Sequence, residues 1–348
     1  AFEGASADSA GYMQRLQVDR NVSAVSGSCM LIRKSLYIDL SGMDATTFAD
    51  QGAALDLCLR VTNGGHMIVW TPRTTLLHSA YKPGMRLETE DMLYARWLAR
   101  LARDPAYNPN FSLSKQGGYK LADPQISWRP LDVWRPLPVV LAHPADVFGC
   151  GHYRVIQPFK ALREAGLLDG ALSQGLMHVT DLERYAPDVV VLQRQISDER
   201  LEAIRRMKAF SQAFKVYELD DYLPNLPIKN AHRNAMPKDI VKSLKRGLSL
   251  VDRFIVSTDS LAEAFSGFHD DIRVVQNRLD PLWWENLPSP IRGQSTKPRV
   301  GWAGGASHTG DLELIFDLVK DLADEVEWIF FGMCPDKLRP YVHEYHPG

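Results

Sequence analysis

The stretch LPVVLAHPADVFGCGHYRVIQPFKALREAG, residues 137–166, constrains this chain more than any other. Residues 139–141 form a short apolar run, residues 149–154 a glycine-bearing loop, and the rest an amphipathic segment that stops near Gly166. A buried strand, a glycine turn and a 3.6-period helix in that order predict the first βα unit of a nucleotide-binding-type α/β domain. The rhythm then continues. Candidate strands lie at 188–193, 215–219, 253–257 and 273–275, and candidate helices at 153–165, 198–210, 237–251 and 260–268. Strands alternating with helices at this spacing imply a parallel, doubly wound sheet. A Pro/Ser-rich join at 287–298 follows, and the pattern restarts with strand 299–303, loop 304–310, helix 311–323, strand 326–331 and a helix at 336–343. One βαβ unit cannot cover both faces of a parallel sheet. The second α/β domain is therefore expected to be incomplete. The chain, which starts with Ala1, is expected to be a fragment cut at the C-terminus and at the N-terminus.

The residues before 137 have another texture. Residues 22–33 predict a small-residue turn entering a buried strand, and 51–61 a helix ended by Asn63-Gly64-Gly65, where glycine permits a left-handed cap. Strands are expected at 66–70 and 75–77. A long amphipathic helix is expected at 88–103, with Met92, Leu93, Trp97 and Leu101 on one side. Residues 112–136 carry Gly117-Gly118, Pro124, Pro130 and Pro136 without periodicity and predict a linker, packed through Trp128 and Trp134.

Bulk properties narrow the function. A length of 348 residues suffices for two or three domains. A net charge of −2, with basic residues spread among acids, gives no basic face for nucleic acid. The four cysteines, Cys29, Cys58, Cys150 and Cys334, stand far apart, which argues against zinc or disulfide scaffolds and for a reducing, cytoplasmic setting. No apolar run reaches the ~20 residues of a membrane helix.

Several residues carry candidate chemistry. Gly304-Gly305 precede a helix whose first turn holds Asp311, so free N–H groups there could face a phosphate. A tight βα turn is the alternative. His308 could bond a donor phosphate or sugar, or be an ordinary loop histidine. Gly149 and Gly151, with His152 and Arg154 behind them, lie where open α/β sheets bind ligands, at the carboxyl ends of strands. Arg154 could hold an anion bidentately or pair with a neighbouring acid, and Cys150 reads as a small filler. Asp220-Asp221 end a strand at the same edge. They could bind acceptor hydroxyls, act as a base, hold a metal or cap the turn at 222–224. Trp283-Trp284 are expected to pack a hinge, with stacking on a sugar as the alternative. A nicotinamide enzyme fits poorly, because no GxGxxG marks the first βα turn.

Two stretches resemble glycosyltransferases of different types. Residues 22–84 resemble the C-terminal half of the catalytic domain in family-two, GT-A-fold glycosyltransferases. The resemblance rests on AVSGSCMLIRKSLY (24–37), the Gly42-Met43-Asp44 turn, DLCLRVTNGGHMIVWTP (56–72) and LLHSAYKPG (76–84). The downstream RW…LARDPAYNPNFSL (96–113) is similar to the tail of bacterial polysaccharide enzymes. That family places an acidic pair just before the DLCLR helix, where one carboxylate deprotonates the acceptor. Ala53-Ala54 stand there instead, and an alanine cannot accept a proton. Asp50 or Asp56 could stand in as the catalytic residue, or be a cap or a solvated residue. His78 matches a histidine near the donor diphosphate or its metal, which makes Mg or Mn the metal this part would take; a hydrogen-bonded strand-end histidine is the alternative. The family's Asp-x-Asp would lie upstream of Ala1.

Residues 137–348 resemble GT-B glycosyltransferases of the family-four or family-one-like kind, two Rossmann-like domains around a cleft. The matching features are GCGHYR (149–154), YELDDYL (217–223), VSTDSLAEAF (256–265), VVQNRLDP (274–281) and GWAGGASHTGDLELI (301–315). Arg278 replaces a common glycine. The resemblance implies a partial GT-A-like domain (1–111), a linker (112–136), an acceptor-type Rossmann domain (137–292) and the start of a donor-type one (298–348). It implies transfer of a sugar from a nucleotide-sugar to a glycan or lipid-linked glycan, with no transmembrane segment and with peripheral association at the inner membrane face. Gly304, Gly305 and His308 would serve the donor; Gly149, Gly151, His152, Arg154 and Asn277 the acceptor or cleft; Asp220, Asp221 and Asp56 catalysis. The GT-B part would need no cofactor, and the fragment alone would turn over weakly or not at all. The rival expectation is a catalytically impaired glycan- or nucleotide-binding scaffold.

Overall fold

A computed structural model describes residues 6, 8–48, 52–76, 84–113, 120–122, 134–225, 236–289, 296–305 and 308–347. In chain order the strands are β1 (Arg20–Val22), β2 (Ile68–Trp70), β3 (Val139–His143), β4 (Asp169–Leu172), β5 (Val189–Gln193), β6 (Phe214–Leu219), β7 (Arg253–Val256), β8 (Ile272–Val274), β9 (Arg299–Gly304), β10 (Glu327–Gly332) and β11 (Glu344–Pro347). The helices are α1 (Lys34–Asp39), α2 (Gly52–Asn63), α3 (Leu87–Ala102), α4 (Gln157–Glu164), α5 (Val179–Tyr185), α6 (Asp198–Phe210), α7 (Ile240–Leu248), α8 (Asp259–Ala264), α9 (Pro281–Trp284), α10 (Thr309–Leu314) and α11 (Phe316–Asp321). Strands β3 to β8 make a six-stranded parallel sheet in the order β4-β3-β5-β6-β7-β8, a Rossmann-like α/β arrangement. A three-stranded parallel sheet runs β11-β10-β9, and β1 and β2 form an antiparallel pair. No described helix is long and apolar enough to cross a membrane.

An aspartate just before a strand recurs as the device that fixes register. The Asp188 carboxylate accepts the Val139 N–H (2.7 Å), and its carbonyl accepts the Phe214 N–H. Asp252 repeats this on the Lys215 N–H (2.7 Å), and the Asp271 carbonyl takes the Phe254 N–H. Behind each aspartate runs a β-branched or aromatic segment that suits a half-buried pleat.

The chain divides into two compact units. One comprises Ala1–Gln193, Glu202–Tyr217 and Leu250–Asp252; the other comprises Arg194–Leu201, Glu218–Ser249 and Arg253–Gly348. In the first, Ala142, Val155, Phe159 and Leu168 form one core cluster and Phe48, Ala53 and Leu93 another. There α3 lies against α5. Arg184 donates to the carbonyls of Ala102, Pro109 and Phe111, while Arg103 donates to those of Glu183 and Arg184. Each helix thus caps the other's carbonyl end. Arg206 binds Glu90 and Asp91 at 2.7 Å, and Arg205 also binds Asp91. In the second unit, Leu312, Val319, Trp328, Phe330 and Leu338 make the core of the three-stranded sheet.

Several expectations need correction. Within residues 22–33 only Val22, the end of β1, lies in a strand, and Leu31 is fully exposed (100%). A run of small residues (Ser26-Gly27-Ser28) satisfies its polar groups locally by turns rather than across a sheet. Residues 75 and 76 are likewise irregular, and Leu77 lies outside the described residues. Residues 149–154 are not a loop: Gly149–Gly151 already turn as a helix and His152–Ile156 form a π-helix running into α4. Helix 311–323 breaks at Ile315 into α10 and α11. Residues 336–343 hold only a 3₁₀ turn, Arg339–Tyr341, because Pro335 and Pro340 deny a helix its N–H donors; β11 follows and adds a third strand. Strand β4 and helix α5 were not foreseen. Met92, Trp134, Trp283 and Trp284 are exposed rather than packed, and Trp128 lies outside the described residues.

Candidate functional site

Asp220-Asp221 leave β6 at its carboxyl edge, in the second unit. The Asp220 carbonyl accepts the Ser257 hydroxyl (3.2 Å), and one of its carboxylate oxygens is buried with no hydrogen-bond partner among the described residues. Such an atom needs a physical reason to persist. The Leu223 N–H bonds the main-chain carbonyl of Asp221 (3.1 Å). The turn at Leu223–Asn225 is thus served by backbone, and the carboxylate is left for other work. Asp221 is open to solvent as a residue, yet the atoms packed around its carboxyl and the Asp220 charge raise its pKa. Arg194 and His308 oppose that rise.

His308 stands between β9 and α10, its Nδ1 2.8 Å from a carboxylate oxygen of Asp311. A Cβ on Gly304 would come within 2.8 Å of the Trp302 ring, and one on Gly332 within 2.3 Å of the Gly304 carbonyl. Gly304 is therefore fixed by packing, whereas Gly305 has open space around it. Asn277 is exposed beyond β8, and Asp280 caps α9 through the Leu282 N–H (3.0 Å).

In the first unit, Gly149, Gly151, His152 and Arg154 start the helix after β3. The Asp146 carboxylate accepts the N–H groups of Phe148 (3.0 Å) and Gly151 (3.1 Å). Gln193 ties the same segment down, donating to the Cys150 carbonyl (3.1 Å) and accepting the Ala145 N–H (2.9 Å). Two of the N–H groups at this helix start are thus already engaged by a protein anion. His152 and Arg154 are half-buried, and the π-turn that carries them is a distortion often met at functional sites.

Asp56 is neither a cap nor solvated. It is fully buried (0%) on α2 and accepts from Arg60 (2.7 Å), Arg96 (2.9 Å) and the Trp97 indole (2.9 Å). Burial alone would raise its pKa, but these three donors hold it below the usual carboxylate range. Ala53 and Ala54 are buried beside it, and Ala54 faces Gly27 so closely that a Cβ there would stand 2.8 Å away. Asp50 and His78 lie outside the described residues.

Sequence reasoning missed Arg194, Glu218, Asp146 and Gln193. Arg194 has a left-handed backbone (φ 49°), and its N–H bonds the Glu218 carbonyl (3.0 Å). No residue-level signal marks that conformation, since arginine rarely adopts it.

Fold and site together define a parallel α/β protein with an acidic pair at the carboxyl end of a strand. No protein-family model matches the chain. Over 116 residues it is 32% identical to a protein of Sinorhizobium fredii (strain NBRC 101917 / NGR234) described as "Uncharacterized protein y4gI". The match covers 30% of this chain and 13% of that protein.

Proposed function

We propose that this chain is part of a glycosyltransferase that moves a sugar from a nucleotide-sugar donor to a growing polysaccharide or other glycan. The observation that carries the reading is the Asp220-Asp221 strand end. It sets a carboxyl of raised proton affinity, a rise that the Arg194 and His308 charges oppose, at the carboxyl edge of a parallel sheet. Asp221 would accept the proton of an acceptor hydroxyl while the hydroxyl oxygen bonds the sugar carbon. The bond to the donor diphosphate breaks, and the diphosphate leaves with the electron pair. The N–H groups near Gly305 and the His308 ring would stabilise it, the largest expected contribution. Asn277 would serve the acceptor side, and Gly149, Gly151, His152 and Arg154 the same role in their own unit. No step uses a metal.

The proposed setting is the cytoplasm, at the inner membrane face, with a glycan or lipid-linked glycan as partner. The test is release of nucleoside diphosphate from UDP- and GDP-sugars, together with nucleotide-sugar binding followed by ligand-observed NMR. Binding or turnover that survives Asp221→Asn and His308→Ala together would remove the reading.

A second reading, a binding scaffold without catalysis, has support in residues 1–111. Asp56 has both oxygens engaged and Ala53-Ala54 offer no acceptor, so this part supplies no described proton acceptor at the expected place.

A further inference from the structure

We infer that Phe148 is the stacking platform of a carbohydrate subsite at the switch point between β3 and β5, and that the sugar it takes is uncharged. The inference rests on the proposed function only in calling that sugar the acceptor.

Topology sets the place. The chain leaves β3 for β4 on one side of it and then crosses to β5 on the other. Segments leaving two such strands part at their carboxyl ends, and an open α/β sheet binds its ligands in the crevice between them. Gln193, the fully buried last residue of β5, ties the β3 exit to the β5 end through the Ala145 N–H and the Cys150 carbonyl. The segment it holds, residues 145–150, carries Phe148, which is 77% exposed.

A single apolar residue on a surface is ordinary, but this one is held in place. The Asp146 carboxylate accepts the Phe148 N–H (3.0 Å), and the Phe148 carbonyl accepts the His152 N–H (2.6 Å), so its main chain is fixed on both sides. Gly149 beside it has open space where a side chain would stand, which leaves room for a ligand to approach. Val147 adds an exposed apolar neighbour. A ring ordered in advance loses little freedom on binding. Its negative π face suits the weakly positive C–H groups that line one face of a pyranose.

Asp146 decides the charge of that sugar. A helix start after a strand of this kind ordinarily offers its free N–H groups to a phosphate. Here the Asp146 carboxylate already holds those of Phe148 and Gly151 (3.1 Å). An incoming anion would therefore meet a fixed negative charge. Arg154, the cation of the same segment, is half-buried and already engaged. An uncharged ring with hydroxyl groups is what remains.

The experiment is saturation-transfer NMR on the whole chain with the methyl glycosides of glucose, galactose and mannose, and with glucuronic acid as the charged probe. At least one methyl glycoside should receive transfer from the parent. Its affinity should fall about tenfold in Phe148→Ala, the worth of one stacking contact, and stay near the parent's in Phe148→Trp. The thermal midpoint of Phe148→Ala should match the parent's, since the side chain is exposed and the main-chain bonds remain. Asp146→Asn keeps an oxygen for both N–H groups and removes the charge, so it should admit glucuronic acid, which the parent excludes. No transfer to any of the three glycosides, or equal affinity in the parent and Phe148→Ala, overturns the subsite. Glucuronic acid binding the parent as well as the neutral sugars do, or gaining nothing in Asp146→Asn, overturns the charge assignment. Sugar binding that depends on Phe148, with no nucleoside diphosphate released from UDP- or GDP-sugars by the parent, would sink the glycosyl-transfer reading and leave Phe148 as a carbohydrate-binding residue.

Discussion

Gly151 and Asp146 approach so closely that a Cβ on Gly151 would stand 1.8 Å from the Asp146 carbonyl oxygen. The obstacle is backbone, so no side chain can swing away. The same aspartate caps the Gly151 N–H, so any retreat also breaks the start of the helix. Gly149, two residues earlier, has nothing within 4 Å of its virtual Cβ. Gly151→Ala should therefore cost about 3 kcal/mol or more, and Gly149→Ala within about 0.5 kcal/mol of nothing. Urea unfolding of the two variants checks the contrast; equal midpoints would show that the Asp146 turn yields easily.

Asp56 is the buried charge on which α2 and α3 converge, with Arg60 four residues away and Arg96 and Trp97 from the other helix. Asp56→Ala leaves two arginines facing an empty core position, which should cost roughly 3–5 kcal/mol. The pH dependence has a definite sign. The folded carboxyl has a lowered pKa, so its contribution is fully present above the unfolded carboxylate pKa and disappears as pH falls through the folded one. The parent should lose stability on acidification over that range, and the Asp56→Ala variant should lose less. Parallel acid limbs in thermal melts would contradict this.

The six-stranded sheet was largely legible in the sequence because Asp188, Asp252 and Asp271 each precede a β-branched or aromatic run. Strands β5, β6, β7 and β8 fall within a residue or so of their expected bounds. Strand β4 was not, because Asp169-Gly170-Ala171-Leu172 has the composition of a turn. It pairs only through β3, where Gly170 (φ 145°) presses on the Val140 carbonyl and a Cβ would come to 1.9 Å. At the candidate site, Asp220-Asp221 were readable as a strand end. The engagement of Asp56 was half readable: Arg60 at i+4 is a local signal, whereas Arg96 and Trp97 arrive from forty residues away. Arg194 was invisible, since its left-handed turn depends on where β6 presents the Glu218 carbonyl.

The exchange of arginines between α3 and α5 makes a third test. Arg184 gives its guanidinium to three carbonyls, of Ala102, Pro109 and Phe111, and Arg103 answers from the other helix. An orphaned carbonyl in a partly buried place costs on the order of 1 kcal/mol or more. Arg184→Gln should therefore lose about 2 kcal/mol and loosen residues 102–111 in hydrogen exchange. Arg100→Gln, on an exposed turn of α3, should change neither. Equal protection in both variants would mean that apolar contacts alone hold α3 in place.

If Asp221 accepts the proton, the pH profile of nucleotide-sugar turnover follows from its surroundings. Burial and the Asp220 charge disfavour the ionised form, so the carboxyl holds its proton to higher pH than an ordinary aspartate. Below that midpoint it is protonated and cannot act as a base, so kcat/KM should rise with pH through a midpoint above the usual carboxylate range. Asp220→Asn removes the neighbouring charge and should move this acid limb to lower pH, with turnover kept at neutral pH. Asp221→Asn should flatten the limb and lower kcat/KM by roughly 10²–10⁴-fold, the usual contribution of a positioned base. The two variants point in different directions, so one set of pH profiles separates the roles of the pair. A limb that ignores Asp220→Asn would place the titrating group elsewhere.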